Sequence, residues 1–157
     1  TMVAAAVAGL LISASASSAG IGVSPRLALP LGDFADVAGL GFGAAVTMDK
    51  EVKDKPGRVG LVFLTFGEGD FEGSSATAIG AFAGYKHSLS NLYLKVDTTL
   101  YRISTEIEIF GITVDDDEMK VKVTPGVGFQ QGAMGVEAEV DLALDWAGVN
   151  FYYMLGN

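Results

Sequence analysis

Apolar and polar residues alternate along most of this chain, and the clearest run lies between Met119 and Asp145. Met119, Val121, Val123, Pro125, Val127 and Phe129 share one parity, against Lys120, Lys122, Thr124, Gly126, Gly128 and Gln130. After Gln131-Gly132-Ala133 the alternation restarts. Met134, Val136, Ala138, Val140, Leu142 and Leu144 are apolar, while Gly135, Glu137, Glu139, Asp141, Ala143 and Asp145 oppose them. Successive strand side chains point to opposite faces, so period two carried through a short glycine turn predicts a β-hairpin. One face is apolar from end to end. The other sets a basic strand against an acidic one, and attraction of Lys120 and Lys122 to Glu137, Glu139 and Asp141 is expected to hold the register.

The same reading extends over the rest of the chain. Ile21, Val23, Pro25, Leu27 and Leu29 oppose Gly22, Ser24, Arg26 and Ala28. Pro25 lacks an amide donor and predicts a bulge or a weakly paired position. A turn over Leu31–Val37 leads to Leu40, Phe42, Ala44, Val46 and Met48, set against Gly39, Gly41, Gly43, Ala45 and Thr47. Asp49–Gly57 reads as a charged connector closed by a Pro56-Gly57 turn. Val59–Phe66 is apolar on both faces and is the weakest strand signal. Ser75–Lys86 alternates, His87–Asn91 reads as a turn, and Leu92–Tyr101 alternates again. Residues 103–118 keep the alternation but are rich in charge, which predicts a hairpin reaching beyond the apolar zone. Ala147–Leu155 closes the chain with Val149, Phe151, Tyr153 and Leu155 against Gly148, Asn150, Tyr152 and Met154.

About eight strands result, near the 9–11 residues that a tilted membrane strand needs. Alternation alone does not separate a membrane barrel from a soluble barrel or sandwich. The glycines do. Gly22, Gly39, Gly41, Gly43, Gly80, Gly84, Gly126, Gly128, Gly135 and Gly148 share the polar face. A narrow lumen needs small residues beside long ones, whereas a water-facing sheet gains nothing from them. The expected fold is therefore an all-β, closed, antiparallel up-and-down transmembrane barrel. A soluble secreted barrel or sandwich that binds a ligand is the alternative.

Composition narrows the picture. The chain has 157 residues, room for one domain, and no cysteine, which excludes disulfides and thiolate metal sites. A net charge of −9 argues against nucleic acid as a partner. Residues 1–19 combine the apolar run Met2–Ile12 with Ser/Ala-rich Ser13–Ala19, as in a signal peptide cleaved before Gly20, although no basic residue precedes the run. The barrel domain is then 20–157.

Candidate chemistry is sparse. Arg26, Lys86, Lys95, Asp97, Lys120, Lys122, Glu137, Glu139 and Asp141 lie on the polar face and are expected to form a lumen network of both signs. Phe34, Tyr101 and Trp146 fall near one set of strand ends, and Tyr85, Tyr93, Phe129 and Tyr153 near the other, as two aromatic girdles would. Asp115, Asp116, Asp117 and Glu118 lack the glycine and distal glutamate of a calcium loop and read first as a solvated turn. Gly39-Leu-Gly-Phe-Gly43 echoes a dinucleotide fingerprint, but a strand follows it where the fingerprint needs a helix. The single histidine, His87, falls in a turn at the end opposite to where an exported barrel hydrolase would need it. No enzymatic activity and no cofactor are expected.

The signal-like start, Leu29-Pro-Leu-Gly-Asp-Phe-Ala-Asp36 leading into Gly39-Leu-Gly-Phe-Gly43, and the closing aromatic strand resemble the small outer-membrane barrels of Gram-negative bacteria. These are the OmpX-like and OmpA-like eight-stranded proteins, often grouped as porin family. The resemblance implies a monomer in the bacterial outer membrane, surrounded by lipid and lipopolysaccharide and inserted by the barrel-assembly machinery. It also implies a structural or surface-interaction (adhesin-like) role with a side-chain-filled lumen, with a narrow pore or transporter as the alternative. Unlike such barrels, which usually end in an aromatic residue, this sequence closes with Met154-Leu155-Gly156-Asn157.

Overall fold

A computed structural model describes residues 20–52 and 55–155. The proposed signal peptide (1–19), Lys53-Asp54 and the last two residues lie outside them. Eight strands close into one antiparallel barrel in sequence order. They are β1 (Ile21–Pro30), β2 (Gly41–Val52), β3 (Lys55–Phe66), β4 (Ser74–Leu89), β5 (Leu92–Ile109), β6 (Ile112–Gln131), β7 (Met134–Val140) and β8 (Trp146–Leu155). A single helical turn, α1 (Phe34–Val37), sits between β1 and β2. Closure leaves no open sheet edge around the wall, so its backbone groups are satisfied without water.

One end of the barrel, the termini end, carries Ile21, Leu155 and three tight hairpins. Gly132 turns β6 into β7 with φ +60°, and Ser90 turns β4 into β5 with φ 64°. The opposite, loop end carries the longer connections and the β5–β6 hairpin. That hairpin runs past the rest of the wall to Ile109 and Ile112, which face each other across Phe110-Gly111. Both turn residues have positive φ, the twist that a two-residue hairpin needs.

Parity fixes what faces where. In β1 exposure alternates residue by residue, with Ile21, Val23, Pro25, Leu27 and Leu29 outward and Gly22, Ser24, Arg26, Ala28 and Pro30 inward. The outer surface is apolar around the barrel, through Phe42, Phe63, Ile79, Leu94, Leu100, Val121 and Phe151 among others. The inner surface works by complementarity of size. Nearly every inward glycine lies directly opposite a large inward side chain: Gly128 opposite Tyr93, Gly84 opposite Asp97, Gly41 opposite Phe66 and Gly135 opposite Tyr152. Opposed Cβ atoms are only about 5 Å apart, so a glycine leaves its partner's large side chain room to lie across the narrow lumen.

Several expectations are corrected. Asp49–Val52 and Lys55–Gly57 are strand, with Glu51 paired to Pro56, so the chain reverses between Val52 and Lys55, before the Pro56-Gly57 signal. His87 is an exposed strand residue of β4, since the turn there is only Ser90-Asn91. Asp115–Glu118 form no turn either. They alternate along β6 opposite Glu106, Thr105, Ser104 and Ile103. Strand β7 stops at Val140, because Asp141 turns inward and accepts from the amides of Asp145 (3.1 Å) and Trp146 (2.9 Å), leaving Leu142 and Leu144 in a turn. Gly39 belongs to a loop, where its amide donates to the Gly67 carbonyl at 2.8 Å.

The lumen and its layers

From the loop end inward, the lumen has three layers. The first is an apolar cap. α1 lowers Phe34 onto Phe66 (ring centroids 5.1 Å apart) and Trp146 (5.4 Å), and Tyr101 stands edge-on to Trp146 at 5.3 Å. Val62, Leu64, Ala76, Ala78 and Ile103 complete this core. Here lies the reason that β3 is apolar on both faces: its outer face is the barrel's exterior and its inner face is this cap. Phe82 forms the floor, with the guanidinium carbons of Arg26 and Arg58 at 5.7 and 5.6 Å from its ring centroid.

The second layer is ionic. Arg58 Nη1 donates to Glu137 Oε1 at 2.7 Å, and Tyr93 Oη donates to the same oxygen at 2.6 Å. Lys95 Nζ lies 3.0 Å from both Asp97 Oδ2 and Glu137 Oε2 and also contacts Glu139. Arg26 Nη1 donates to Glu139 Oε1 at 3.1 Å, and Asn150 Nδ2 donates to Glu137 Oε2 at 3.3 Å. Three cations thus face three anions, Arg26, Arg58 and Lys95 against Asp97, Glu137 and Glu139, all with side chains at least nine-tenths buried. A buried charge without its partner is costly, and a balanced set with several hydrogen bonds per carboxylate avoids that cost.

The third layer, at the termini end, is a small cavity lined by Ser24, Thr47, Asp49, Arg58, Lys86 and Tyr152 among others. Lys86 Nζ sits 4.1 Å above the Tyr93 ring and 3.7 Å from Asp49, and donates to Gln130 at 3.0 Å.

The anticipated lumen residues are placed as follows. Arg26, Lys95, Asp97, Glu137 and Glu139 meet in the ionic layer, while Lys86 lies below it. Lys122 and Asp141 form a second buried pair beside the cap, 3.5 Å apart, where Lys122 also contacts Asp145 and lies 4.3 Å from the Trp146 ring. Lys120 reaches the rim, half-exposed, 3.2 Å from Glu118. The expected attraction of these lysines to Glu137 and Glu139 is not formed. Those glutamates stand opposite Gly128 and Gly126, and their cations come from across the lumen. Arg58 was missed because it fell between the supposed connector, which ended at Gly57, and the strand read from Val59, although it shares inward parity with Gly60 and Val62.

The girdle assignment is also corrected. Tyr85, Phe129 and Tyr153 are exposed on the outer face at the termini end. Tyr93, Tyr101 and Trp146 are buried in the lumen, and Phe34 belongs to the cap. Tyr93 and Tyr101 share the parity of Lys95 and Asp97, and parity decides the face where proximity to a strand end does not. Asp115–Glu118 are exposed on the protruding hairpin, and among the described residues no group of acids and histidine is arranged to hold a metal ion.

Fold and filled lumen together define a small, closed, eight-stranded up-and-down barrel of the kind found in outer-membrane proteins. No protein-family model matches the chain, and no curated protein matches it in sequence. Among solved structures it is similar to Neisserial surface protein A (NspA), with a TM-score of 0.55 and 12% identity over 87% of this chain and 94% of that one. At that identity the likeness is one of fold.

Proposed function

We propose that this is an integral outer-membrane protein with an adhesin-like role, presenting the β5–β6 hairpin at the cell surface above a sealed barrel. Its surroundings would be outer-membrane lipid and lipopolysaccharide, with insertion by the barrel-assembly machinery and no cofactor. The membrane assignment is supported by the apolar outer face, which would expose Leu94, Val96 and Leu100 and their neighbours to water in any soluble setting.

The observation that carries the surface role is the hairpin itself. On β5 the ladder to β4 ends at Ser74–Ile107, and on β6 the ladder to β7 ends at Gly126–Glu139. Among the described residues, nothing pairs with the free edge of β6 from Ile112 to Val121. Phe110 at the tip is fully exposed, and Ile109 and Ile112 beside it are more than half exposed. A rigid ribbon with an apolar tip and a bare edge serves no structural need of the barrel, and its features are those that recruit another surface.

Two measurements test the proposal. The folded protein should resist carbonate extraction and change gel mobility on boiling, and release into the soluble fraction without detergent would sink the membrane reading. Replacing Ser104–Asp117 with a two-residue turn should preserve that mobility shift while abolishing adhesion of cells that display the protein. Unchanged adhesion would overturn the surface role. The narrow-pore alternative would require the Phe34–Phe66–Trp146 cap to part, and steady single-channel conductance of the purified protein would favour it.

A further inference from the structure

We propose that the β7–β8 hairpin is a separately movable panel of the barrel wall, held shut by an ionic clasp across the lumen more than by its strand ladders. This goes beyond the surface role proposed above and does not depend on it.

Both seams of this hairpin are interrupted next to a proline. Pairing of β1 with β8 covers Ile21–Val23 and resumes at Arg26, skipping Ser24 and Pro25. Pairing of β6 with β7 ends at Gly126–Glu139, one residue short of Pro125. Proline has no N–H to give to a ladder, and in a wall without water the lost bond is not replaced by solvent. Beyond its break the β6–β7 seam is tied by a single main-chain bond, Leu142 N–H to the Val123 carbonyl (2.9 Å), while the β1–β8 ladder resumes from Arg26–Asn150 to Pro30–Trp146 and ends on Leu31 N–H to the Asp145 carbonyl (2.7 Å). By contrast, β4 and β5 pair without interruption from Ser74–Ile107 to Leu89–Leu92.

Charge is divided along the same boundary. Glu137 and Glu139 on β7, with Asp141 and Asp145 in the turn after it, supply four of the lumen's acids. Their cations all lie on the other side of the seams: Arg26 on β1, Arg58 on β3, Lys95 on β5 and Lys122 on β6. The hairpin brings no lysine or arginine of its own. It is an acidic panel docked on a cationic trough, so the clasp supplies the attachment that the broken ladders lack. The cavity lies just behind the seam, with Gly22 and Ser24 of β1 and Tyr152 and Met154 of β8 in its lining. Tyr152 Oη and Asn150 Oδ1, both on the panel, are buried without a hydrogen-bond partner. Swinging the panel outward would open that cavity sideways between β1 and β8.

Amide hydrogen exchange on the full chain folded into phosphatidylcholine vesicles tests the proposal without any substitution. Amides of 134–140 and 147–151 should exchange together, about tenfold or more faster than those of 76–83 and 94–101, as a cooperative unit of lower local stability does. Glu139→Gln should accelerate the panel's amides further and leave β3 and β4 unchanged. An oxidised Leu27→Cys/Val149→Cys pair, built on directly opposed residues of β1 and β8, should slow the panel to the β4–β5 rate, and reduction should restore it. Equal protection of panel and β4–β5 in the unmodified protein would overturn the proposal. So would a crosslink that changes nothing, or a Glu139→Gln effect spread evenly around the barrel. If Glu139→Gln fails to fold, the unmodified chain and the crosslink still decide.

Discussion

At Gly128 the lumen has room for a hydrogen atom and little else: a β-carbon there would lie 2.1 Å from Cζ of Tyr93. Tyr93 cannot give way, because its hydroxyl is committed to Glu137. Gly128→Ala should therefore cost on the order of 1–3 kcal/mol by overpacking. In a Tyr93→Leu background the added cost should shrink, and a double-mutant cycle on urea midpoints reads the difference. Two neighbouring lysines make a sharper contrast. The Lys122 side chain is 1% exposed and bound to Asp141 and Asp145, while that of Lys120 is 38% exposed at the rim. Lys122→Ala strands buried carboxylate charge and should cost roughly 3–5 kcal/mol. Lys120→Ala should cost under about 1 kcal/mol. Equal shifts in unfolding midpoint would mean that the inner face is open to water. Such residues were legible through parity alone: Lys95, Asp97, Glu137 and Glu139 alternate with apolar neighbours. Their partners were not, because Arg58 and Glu137 meet across the lumen from strands far apart in sequence, and alternation carries no information about that distance.

The strands that read well from sequence are those with one apolar and one polar face, such as β1 and β5 as far as Tyr101. Outside the apolar zone the signal fades for a physical reason. Over Asp49–Val52 and residues 104–118 charge appears on either parity, so a strand resembles a connector. The β5–β6 extension shows what holds such a ribbon together. Outward-facing Ser104 and Arg102 both donate to Asp117, the guanidinium Nη2 at 2.6 Å. The Ser104 hydrogen bond and then the Arg102 bond and charge hold the Asp117 carboxyl below its ordinary value. A carboxylate whose folded pKa is depressed stabilises the fold above its unfolded pKa of about 3.9, and that contribution is lost as pH falls through the lower folded value. Amide protection over 103–118 should accordingly weaken below about pH 4, while β1–β4 stay protected. Asp117→Asn should remove that pH dependence. A pH profile unchanged in Asp117→Asn would assign the stability of the ribbon to its ladder alone.

At the scale of the whole molecule, the barrel inverts only part of the usual arrangement of a globular protein. Its exterior is apolar, yet the loop-end half of its interior is largely apolar too, with charge gathered in a middle layer of three cations and three anions, in the Lys122–Asp141 pair beside the cap and at Lys86 below. Alternation predicts a polar interior except at Val59–Phe66, which reads as apolar on both faces, and the inward Val62, Leu64 and Phe66 agree with that, while Trp146, read as a girdle residue, adds an indole ring to the same apolar half. The capped, charge-balanced lumen leaves the outer surface as the feature that defines the protein's environment. Val123 is outward on β6, directly opposite Thr98 of β5, in the middle of the apolar zone. Val123→Lys places a charge there and should destabilise the folded state in lipid vesicles by roughly 2–4 kcal/mol. Thr113→Lys, on the same face of the same strand but out on the protruding ribbon, should leave it near wild type. Folding yield and unfolding midpoint in vesicles distinguish the two positions. A Val123→Lys variant that inserts as well as wild type would show that lipid does not cover this face, and the bilayer assignment would fall with it.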